Sequence, residues 1–392
     1  MRRHPGITIL ALVSILTAAG SACASRGKAV PVAAIAAGYN HTVVLKRDGT
    51  VWAWGSNERG QLDDNPSAER TAPVLVQGLT GVTAIACGGA HTLALKRDGT
   101  VWVWGGKPAA ALGDESECPC TAKQDNQTKG GAIVLRQVAG LRDITAVAAG
   151  DAHSLALGKN GAVWAWGANK FNQVGDGTAV DRSAPVPVPK LSGIAALAAG
   201  ARATHTLALG ADGTVWTWGW NKYGQLGDGT TANKSMPIRV PGLAGVKAVA
   251  AGANHSMALK KDGTVWTWGS NYFGQLGDGT TRDRFKPGKV PGLSGVTAIA
   301  SGATHCLALK KDGTVWAWGS NNFGQLGDGT NSGRAKPVRV KDLAHAAAIA
   351  SGALHALALQ KDGTVWAWGW NSRGELGDGT TFDRTAPVRC LI

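Results

Sequence analysis

Several features that mark enzymes and helical proteins are missing from this chain of 392 residues. It has no phosphate-binding glycine loop, no nucleophile turn and no cluster of metal ligands, so nothing in it indicates catalysis, a metal or a cofactor. No stretch between Val32 and Ile392 keeps the spacing of an amphipathic helix, so helices are not expected. Cysteine is scarce, with six residues. Cys23 lies in an N-terminal apolar segment, and the odd number after it does not suit a disulfide framework.

Acidic residues are also few: 26 Asp and Glu stand against 40 Lys and Arg, giving a net charge of +14. Such a chain could attract acidic partners, surface polymers or anionic membranes. Many cations flank Asp-Gly turns, where they also keep exposed turns soluble, and we favour this second explanation. The residues concerned are Lys46, Arg47, Lys96, Arg97, Lys260, Lys261, Lys310 and Lys311.

What the sequence has in abundance is repetition. A phrase exemplified by Ala303 to Gly319 occurs seven times at intervals of about 50 residues, and two intervals are longer. Its anchor histidines are His41, His91, His153, His205, His255, His305 and His355.

Each phrase predicts a β-hairpin. Asp312-Gly313 separates two β-favouring runs, and this pair suits the positive φ angles of a two-residue turn. Trp316 and Trp318 follow two residues apart, so both rings point to one face of the strand. A small-residue run before the histidine and a Pro-Val-x-Val run after a long loop complete four strands per repeat. Fourteen of the 16 tryptophans belong to such pairs.

Seven antiparallel four-stranded units with this period fit an all-β, seven-bladed β-propeller better than a solenoid. The repeated phrase A-A-G-x-x-H-x-x-A-L-K-x-D-G-T-V-W-x-W-G-x-N-x-x-G-Q-L-G-D-G-T resembles the repeats of the regulator of chromosome condensation family. The resemblance covers Val32 to Ile392 and implies a seven-bladed propeller.

The two ends of the repeat region bear on how the ring closes. The region begins on a small-residue strand and ends on a surplus Pro387-Val388-Arg389-Cys390 run. We therefore predict that the C-terminal strand completes the first blade and closes the ring. The alternative is that it completes the seventh blade.

Residues 1–24 combine a basic start, an apolar run and a small-residue end at Ala22-Cys23-Ala24, the pattern of a signal peptide. We expect cleavage after Ala24, which leaves a propeller over 25–392. The alternative is lipid attachment to Cys23, as in bacterial lipoproteins, and only then would the protein be held at a membrane. A secreted, periplasmic or cell-surface protein, from a bacterium, is the expectation.

Strand direction puts the Gly-x-x-His loops and the long Asn-x-x-Gly-Gln-Leu loops on one face, and the Asp-Gly hairpins on the other. The first face carries the more variable segments and is the better candidate for binding. Departures from the repeat there include an insertion at 106–131, containing Cys118-Pro119-Cys120, and the extra pair Arg202-Ala203. Cys118 and Cys120 could pair with each other. The first repeat also departs, with Asp63-Asp64-Asn65 in its long loop.

Aromatic residues form the third departure. Trp220 and Trp370 replace the serine of other repeats, and one loop position is aromatic in four repeats. Aromatic side chains on loops around a ring suit a recognition surface. The recurrent rings could equally tuck under their own loops, so the two tryptophans are the sharper candidates. The predicted binding residues are Trp220, Trp370, Phe171, Tyr223, Phe273, Phe323 and Arg202.

The seven histidines would lie on a wide ring, too far apart to share a metal ion. We interpret them as structural, each with a hydrogen bond inside its blade. The recurrent Asp of the Gly-Asp-Gly-Thr loops, such as Asp328, is interpreted as a loop cap.

Three functions remain. The first, which we favour, is a monomeric, non-catalytic exported propeller that binds a protein or a surface polymer. Inhibition of an extracytoplasmic enzyme is one version of this function, which the family resemblance implies because a secreted bacterial member looks like an inhibitor of this kind. The second is guanine-nucleotide exchange with chromatin binding, which the family resemblance implies; the export signal opposes it, and nucleic acid is not expected as a partner. The third is a hydrolase or lyase of wall polysaccharide, for which Asp114, Glu115 and Glu117 are the available acidic group.

Overall fold

The repeat folds as an uninterrupted series of hairpins. The computed structural model describes residues 30–62, 69–106 and 135–392. The first four blades contain β1 (Val32–Ala37), β2 (His41–Lys46), β3 (Val51–Gly55) and β4 (Arg70–Leu75); β5 (Val82–Cys87), β6 (His91–Lys96), β7 (Val101–Gly105) and β8 (Arg136–Gln137); β9 (Ile144–Ala149), β10 (His153–Gly158), β11 (Val163–Gly167) and β12 (Arg182–Pro187); β13 (Ile194–Ala198), β14 (His205–Gly210), β15 (Val215–Gly219) and β16 (Lys234–Arg239).

The last three blades contain β17 (Val246–Ala251), β18 (His255–Lys260), β19 (Val265–Gly269) and β20 (Arg284–Lys289); β21 (Val296–Ser301), β22 (His305–Lys310), β23 (Val315–Gly319) and β24 (Arg334–Arg339); β25 (Ala346–Ser351), β26 (His355–Gln360), β27 (Val365–Gly369) and β28 (Arg384–Arg389). Each blade is an antiparallel sheet with its strands in chain order. The prediction of an all-β, seven-bladed propeller is confirmed. The described residues include no apolar helix of the length needed to cross a membrane.

The first strand of every blade lies innermost. These seven strands surround a cavity of about 170 Å³, lined almost entirely by alanine, isoleucine, valine, leucine, serine and glycine. Their small side chains let seven sheets converge on one axis without steric conflict. The core itself is not axial. It consists of seven hydrophobic clusters, each drawn from two neighbouring blades, so the contact between adjacent blades, called here a seam, is the packing unit.

The two tryptophans of each pair have different roles at these seams. The second tryptophan of each pair is fully buried, and in six blades its indole N–H donates to a backbone carbonyl of the preceding blade. Trp318 Nε1, for example, donates to the carbonyl oxygen of Gln275 at 2.9 Å. The first tryptophan of each pair is partly buried near the hairpins. There Lys310 Nζ lies 5.2 Å from the centroid of the Trp316 ring, so part of the basic charge packs on aromatic rings.

The prediction that the C-terminal strand completes the first blade is wrong. Strand β28 pairs with β27, with Trp366 opposite Arg389 and Gly369 opposite Arg384. In every blade the last strand of the repeat is the fourth strand of that same blade and pairs with the tryptophan strand. The ring is closed by contact between blades 7 and 1 rather than by a shared sheet.

Candidate functional site

Two faces of the ring differ in construction. The hairpin face carries the Asp-Gly turns and the connections between blades. The loop face carries the short loops before each histidine strand and the long loops after each tryptophan strand, such as residues 320–333. Both sets of loops follow from strand direction, as the sequence predicted. The long loops are built around a buried asparagine: Asn321 Nδ2 donates to Asp328 Oδ1 at 3.2 Å, and its Oδ1 accepts the N–H of Leu326 at 2.9 Å.

The recurrent loop aspartates act as caps, as predicted. Asp328 Oδ1 accepts the backbone N–H of Thr330 at 3.0 Å, and its Oδ2 lies 2.9 Å from Nη2 of Arg334, the first residue of β24. The same ion pair with the start of the fourth strand recurs at Asp176, Asp228, Asp278 and Asp378. These carboxylates therefore hold the loops in place and are not available to a ligand.

The interpretation of the histidines needs one correction. Each imidazole is buried, but its Nε2 bonds a side chain of the next blade rather than of its own. His41 Nε2 lies 3.0 Å from Oγ1 of Thr92, and His355 Nε2 lies 3.0 Å from Oγ1 of Thr42 across the closing contact. The partner is the residue that follows the next histidine, where the repeat supplies Thr, Ser or Cys. Sequence reasoning missed it because an intra-blade bond and an inter-blade bond leave the same repeat pattern.

Burial keeps these imidazoles neutral. It lowers the pKa of His153 to about 3 and that of His91 to about 4, with repulsion from a neighbouring imidazole adding to the effect at His153. Among the residues that the structure describes, no group of three His, Cys, Asp or Glu side chains could hold a metal ion. The seven histidines thus join blades and offer no acid-base group near neutral pH.

One seam shows how strictly this bond is kept. Blade 7 has Ala356 at the partner position, so His305 finds no hydroxyl there. Ser351, at the end of β25, supplies one instead, with its Oγ 2.9 Å from His305 Nε2. In the neighbouring seam, His255 Nε2 lies 3.1 Å from Cys306 Sγ and 2.8 Å from Ser301 Oγ. A buried imidazole left without a partner would be costly, which explains the substitution.

The predicted aromatic residues lie on the loop face, and two groups of them bridge seams. The Trp220 ring centroid is 5.5 Å from that of Phe171 in the preceding blade and 5.7 Å from that of Tyr223 in its own. The Trp370 ring stacks on Phe323 of the preceding blade, with centroids 4.9 Å apart. All five side chains are partly buried. The two tryptophans therefore cover the recurrent ring of the neighbouring repeat.

Phe273 differs from the other recurrent rings. Its side chain is 42% exposed, because its own blade has Ser270 and the following blade has Ser320, whereas each of the other three recurrent rings contacts Trp220 or Trp370. Tyr272, which sequence reasoning missed, is 75% exposed and meets Phe273 edge to face at 4.9 Å between centroids. The sequence did distinguish Tyr272, since other repeats have Glu, Lys, Asn or Ser at this position.

Arg202 lies at the mouth of the central cavity. Its guanidinium carbon is 4.7 Å from the ring centroid of Tyr39, which belongs to blade 1, whereas Arg202 belongs to blade 4. The extra residues also let Ala203 accept the N–H of Asp151 at 3.0 Å. Burial raises the pKa of Asp151, and the nearby charge of Arg202 partly offsets that rise. The structure does not bring Arg202 into contact with the six predicted aromatic residues.

A group of charged residues at the contact between blades 7 and 1 was not predicted. Arg373 replaces the recurrent aromatic residue, and its guanidinium bonds the carboxylates of Glu58 and Glu69 in blade 1. Glu375 replaces the glutamine of other repeats and is 1% exposed. Burial raises its pKa to about 7, although the Arg373 N–H that its Oε2 accepts lowers it. The replacement of Gln by Glu in one repeat was the available signal.

Some predictions fall outside the described residues: the signal sequence 1–24 with Cys23, the loop residues Asp63, Asp64 and Asn65, all of the 106–131 insertion but Gly106, the possible pairing of Cys118 with Cys120, and the acidic group Asp114, Glu115 and Glu117. Of the described cysteines, Cys87, Cys306 and Cys390 are buried free thiols. Burial raises the pKa of Cys87 to about 12, so this thiol is unreactive.

Similar proteins support the same architecture. The chain is 33% identical to the ultraviolet-B receptor UVR8 of Arabidopsis thaliana over 218 residues, which cover 54% of this chain and 47% of the receptor. It is 33% identical to human E3 ubiquitin-protein ligase HERC2 over 226 residues, 56% of this chain and 4% of the ligase. The chain thus spans about half the length of the first relative and a small part of the second.

Solved structures match over more of the chain. Human WBSCR16 superposes with a TM-score of 0.75 at 25% identity, covering 86% of this chain and 88% of WBSCR16. Prp20p of Saccharomyces cerevisiae superposes with a TM-score of 0.73 at 25% identity, covering 93% and 87%. The family model described as RCC1-like domain matches residues 18–263 and 243–391. Together with the seven repeats and the seven blades, this match shows that the chain belongs to the RCC1-like domain family.

Proposed function

We propose that this protein is a non-catalytic binding propeller whose partner is another protein and whose binding surface is the loop face. The observation that carries the proposal is the exposed pair Tyr272 and Phe273 on a ring whose other recurrent aromatic side chains are covered. Large aromatic side chains exposed on a rigid support are typical of the residues that dominate protein interfaces. Propellers of this family support such a role, because the Prp20p structure was reported together with binding to Gsp1p and histones.

The remaining predicted residues contribute to binding at this surface to different extents. Trp220 and Trp370 are partly buried by their neighbours, so each offers one edge to a partner and stabilises a seam with the rest. We propose that replacing either by alanine weakens binding less than replacing Tyr272 and Phe273. Arg202 adds a cation at the axis of the same face, oriented by Tyr39.

We further propose that the protein acts outside the cytoplasm, where inhibition of an enzyme is one form that binding could take. The support is the signal-like segment 1–24 and nothing else, so N-terminal sequencing of the mature protein from its native host is the test. An N-terminus at Ser25 supports export. Detection of the full-length chain in the cytosol would contradict it and would favour the second candidate, a regulator of a Gsp1p-like partner, which the similarity to Prp20p supports.

The binding proposal is tested by capture. Residues 25–392 are immobilised beside a Tyr272→Ala/Phe273→Ala variant and a Phe382→Ala control, whose ring is 71% exposed on the tip of the blade 7 loop. Proteins of the native extracytoplasmic fraction are captured and identified by mass spectrometry. We expect at least one protein that the parent and the Phe382 control retain and the double variant loses. Equal capture by all three forms, or capture of polymer alone, would overturn the proposal for this face.

A further inference from the structure

The residue that opens each long loop has the same backbone anchor in four consecutive blades. The N–H groups of Trp220, Ser270, Ser320 and Trp370 each donate to the carbonyl oxygen of the residue that precedes a strand histidine, at 3.1, 2.8, 3.0 and 3.0 Å. The four side chains therefore leave the backbone at equivalent places, each beside the recurrent aromatic residue of the preceding blade. Trp220, Ser270 and Ser320 also have a recurrent aromatic residue in their own blade, whereas Trp370 has Arg373 there. Only the side chain differs.

At two of these places the chain fills the space itself. The indole of Trp220 lies between Phe171 and Tyr223, at 5.5 and 5.7 Å between centroids. The indole of Trp370 stacks on Phe323 at 4.9 Å. These distances are those at which aromatic pairs stabilise each other beyond the burial of their surface. Trp220 thus shows that an indole fits between two recurrent rings, and Trp370 shows that it fits against one.

At the other two places the group is absent. Ser270 stands between the positions of Tyr223 and Phe273, and Ser320 between those of Phe273 and Phe323. Both serines are 7% exposed and short, so neither carries a ring over its aromatic neighbours as the two tryptophans do. We call the places that an indole would take at Ser270 and Ser320 the serine notches. Phe273 borders both, which explains why its ring is 42% exposed while its counterparts are covered.

We propose that the serine notches bind two aromatic side chains of a partner protein, in the places that Trp220 and Trp370 occupy at the flanking seams. This inference rests on the proposed function and specifies its chemistry. The notches lie one blade apart and share Phe273, so the partner would present its two rings side by side. Tyr272, edge-on to Phe273, would extend the contact outward.

The charges around the notches indicate what flanks those rings. Four cations on this part of the loop face are exposed, and no ion pair or hydrogen bond engages their side chains within the described part of the chain: Lys222, Arg282, Lys286 and Lys336. The carboxylates of the same loops are committed. Asp228 and Asp278 bind Lys234 and Arg284, and Asp283 accepts the N–H of Asn271 at 2.7 Å. A partner segment with two aromatic residues among acidic ones is therefore complementary.

The test fills the notches with the residue that the chain already uses elsewhere. In a Ser270→Trp/Ser320→Trp variant, the indole at 320 would pack on Phe273, and the indole at 270 on Tyr223, as Trp220 packs on Phe171, so the melting temperature should hold or rise. Binding of the captured partner should fall at least tenfold. The control is Ser56→Trp, at the same anchored position in blade 1, where Arg373 and Arg59 stand in place of the recurrent rings. It should leave binding unchanged.

A second measurement needs no partner. N-acetyl-tryptophanamide is titrated into the parent, and the aromatic NMR signals of Phe273 and Tyr272 are followed. We expect saturable shifts in the parent, no saturable shift in the double tryptophan variant, and additional shifts at Phe171 in Trp220→Ser, which opens a third notch.

Unchanged partner binding in the folded double variant, or no saturable shift of Phe273 in the parent, would overturn the inference. If no protein is captured by any form, the proposed function fails, and the titration still decides whether the notches accept indole. If the double variant does not fold, Ser320→Trp alone and the titration of the parent decide the question.

Discussion

The contact between blades 7 and 1, the closing seam, differs from the other six in having no chain connection across it. At every other seam the polypeptide passes from one blade to the next, so separation is limited by a short connection. At the closing seam only non-covalent contacts act: the packing of Trp54 against blade 7, its indole N–H donating to the carbonyl of Glu375 at 2.8 Å, and the hydroxyl of Thr42 donating to the same carbonyl at 2.8 Å.

The repeat is also altered where this seam lies. Five other seams in the described part of the chain place a neutral glutamine below the loop, whose Oε1 accepts a backbone N–H, as Gln325 does from Phe323 at 2.9 Å. Glu375 keeps that bond with one carboxylate oxygen, but its Oε1 has no hydrogen-bond partner among the described residues. Arg373, paired with Glu58 and Glu69, replaces the aromatic contact that joins blades 3 and 4 and blades 6 and 7. The closing seam therefore exchanges neutral packing for charge and makes ring closure sensitive to pH and salt.

The largest expected effect is acid unfolding, which all seven seams share. The anchor histidines have pKa values of about 3 to 4 in the fold, against 6.5 for free imidazole. The unfolded chain therefore binds more protons between pH 6.5 and about 4, and stability is lost as the pH falls through this window. Each histidine contributes about 1.4 kcal/mol per pH unit there.

Urea midpoints measured from pH 7.5 to 4.5 check this prediction. His205→Gln serves as the comparison, because it removes one such group from an ordinary seam and should reduce the slope by about one proton. Stability that stays level between pH 6.5 and 5 would show that the imidazoles are not held neutral, and the inter-blade bond would have to be revised.

The next largest effect comes from matched tryptophan truncations. Trp54→Ala at the closing seam and Trp318→Ala at an ordinary seam each remove a fully buried indole and should cost about 3–5 kcal/mol of unfolding free energy. Their hydrogen exchange should differ. Blades 7 and 1 can separate without stretching a chain connection. In Trp54→Ala, backbone amides should therefore lose protection from hydrogen exchange first in β1, β2 and β25 to β28. Equal, global loss of protection in both variants would mean that closure adds no weak point.

A smaller effect separates Glu375 from its neutral counterparts. Its pKa of about 7 in the fold lies above 4.5, so the fold favours the protonated acid, and the stability this contributes is lost as the pH rises from 4.5 through 7. Glu375→Gln should therefore stabilise the protein by about 1–3 kcal/mol at pH 8 and by much less at pH 5. The reciprocal variant Gln325→Glu should lose stability at pH 8. Thermal melts of both variants at the two pH values are the measurement, and a pH-independent difference would contradict it.

Much of the ring could be predicted from sequence because the same local pattern occurs seven times. The Asp-Gly turns, the paired tryptophans and the alternation of strand direction each fix local geometry, and they assign Trp220, Phe273 and Arg202 to the loop face. Phase was harder. A circular array of four-stranded units reads the same whichever strand is taken as the first, so only the register of β27 with β28 assigned the C-terminal strand to blade 7.

Contacts across seams were equally hidden. The hydroxyl partner of each histidine, the cover that Trp370 gives Phe323 and the exposure of Phe273 depend on how one repeat meets the next, which a single repeat cannot show. The useful signals were breaks in the pattern. Ala356 with Ser351, Glu375 for glutamine, Arg373 for an aromatic residue and Trp370 for serine each mark a place where the structure differs from its symmetric copies.

The smallest expected effect concerns Arg373 and its two carboxylate partners. The Arg373 side chain is 37% exposed and that of Glu58 is 59% exposed, so solvent screens the pairs and each contributes at most about 1 kcal/mol. Arg373→Ala should lower the urea midpoint slightly at low salt and hardly at all at high salt. Arg282→Ala, a cation of the same face without such partners, is the control and should not respond to salt. Arg373→Phe restores the residue type of four other repeats and should remove the salt dependence while keeping or raising stability. A larger, salt-independent loss of stability in Arg373→Ala would show that the aliphatic part of the arginine side chain, rather than its charge, stabilises the closing seam.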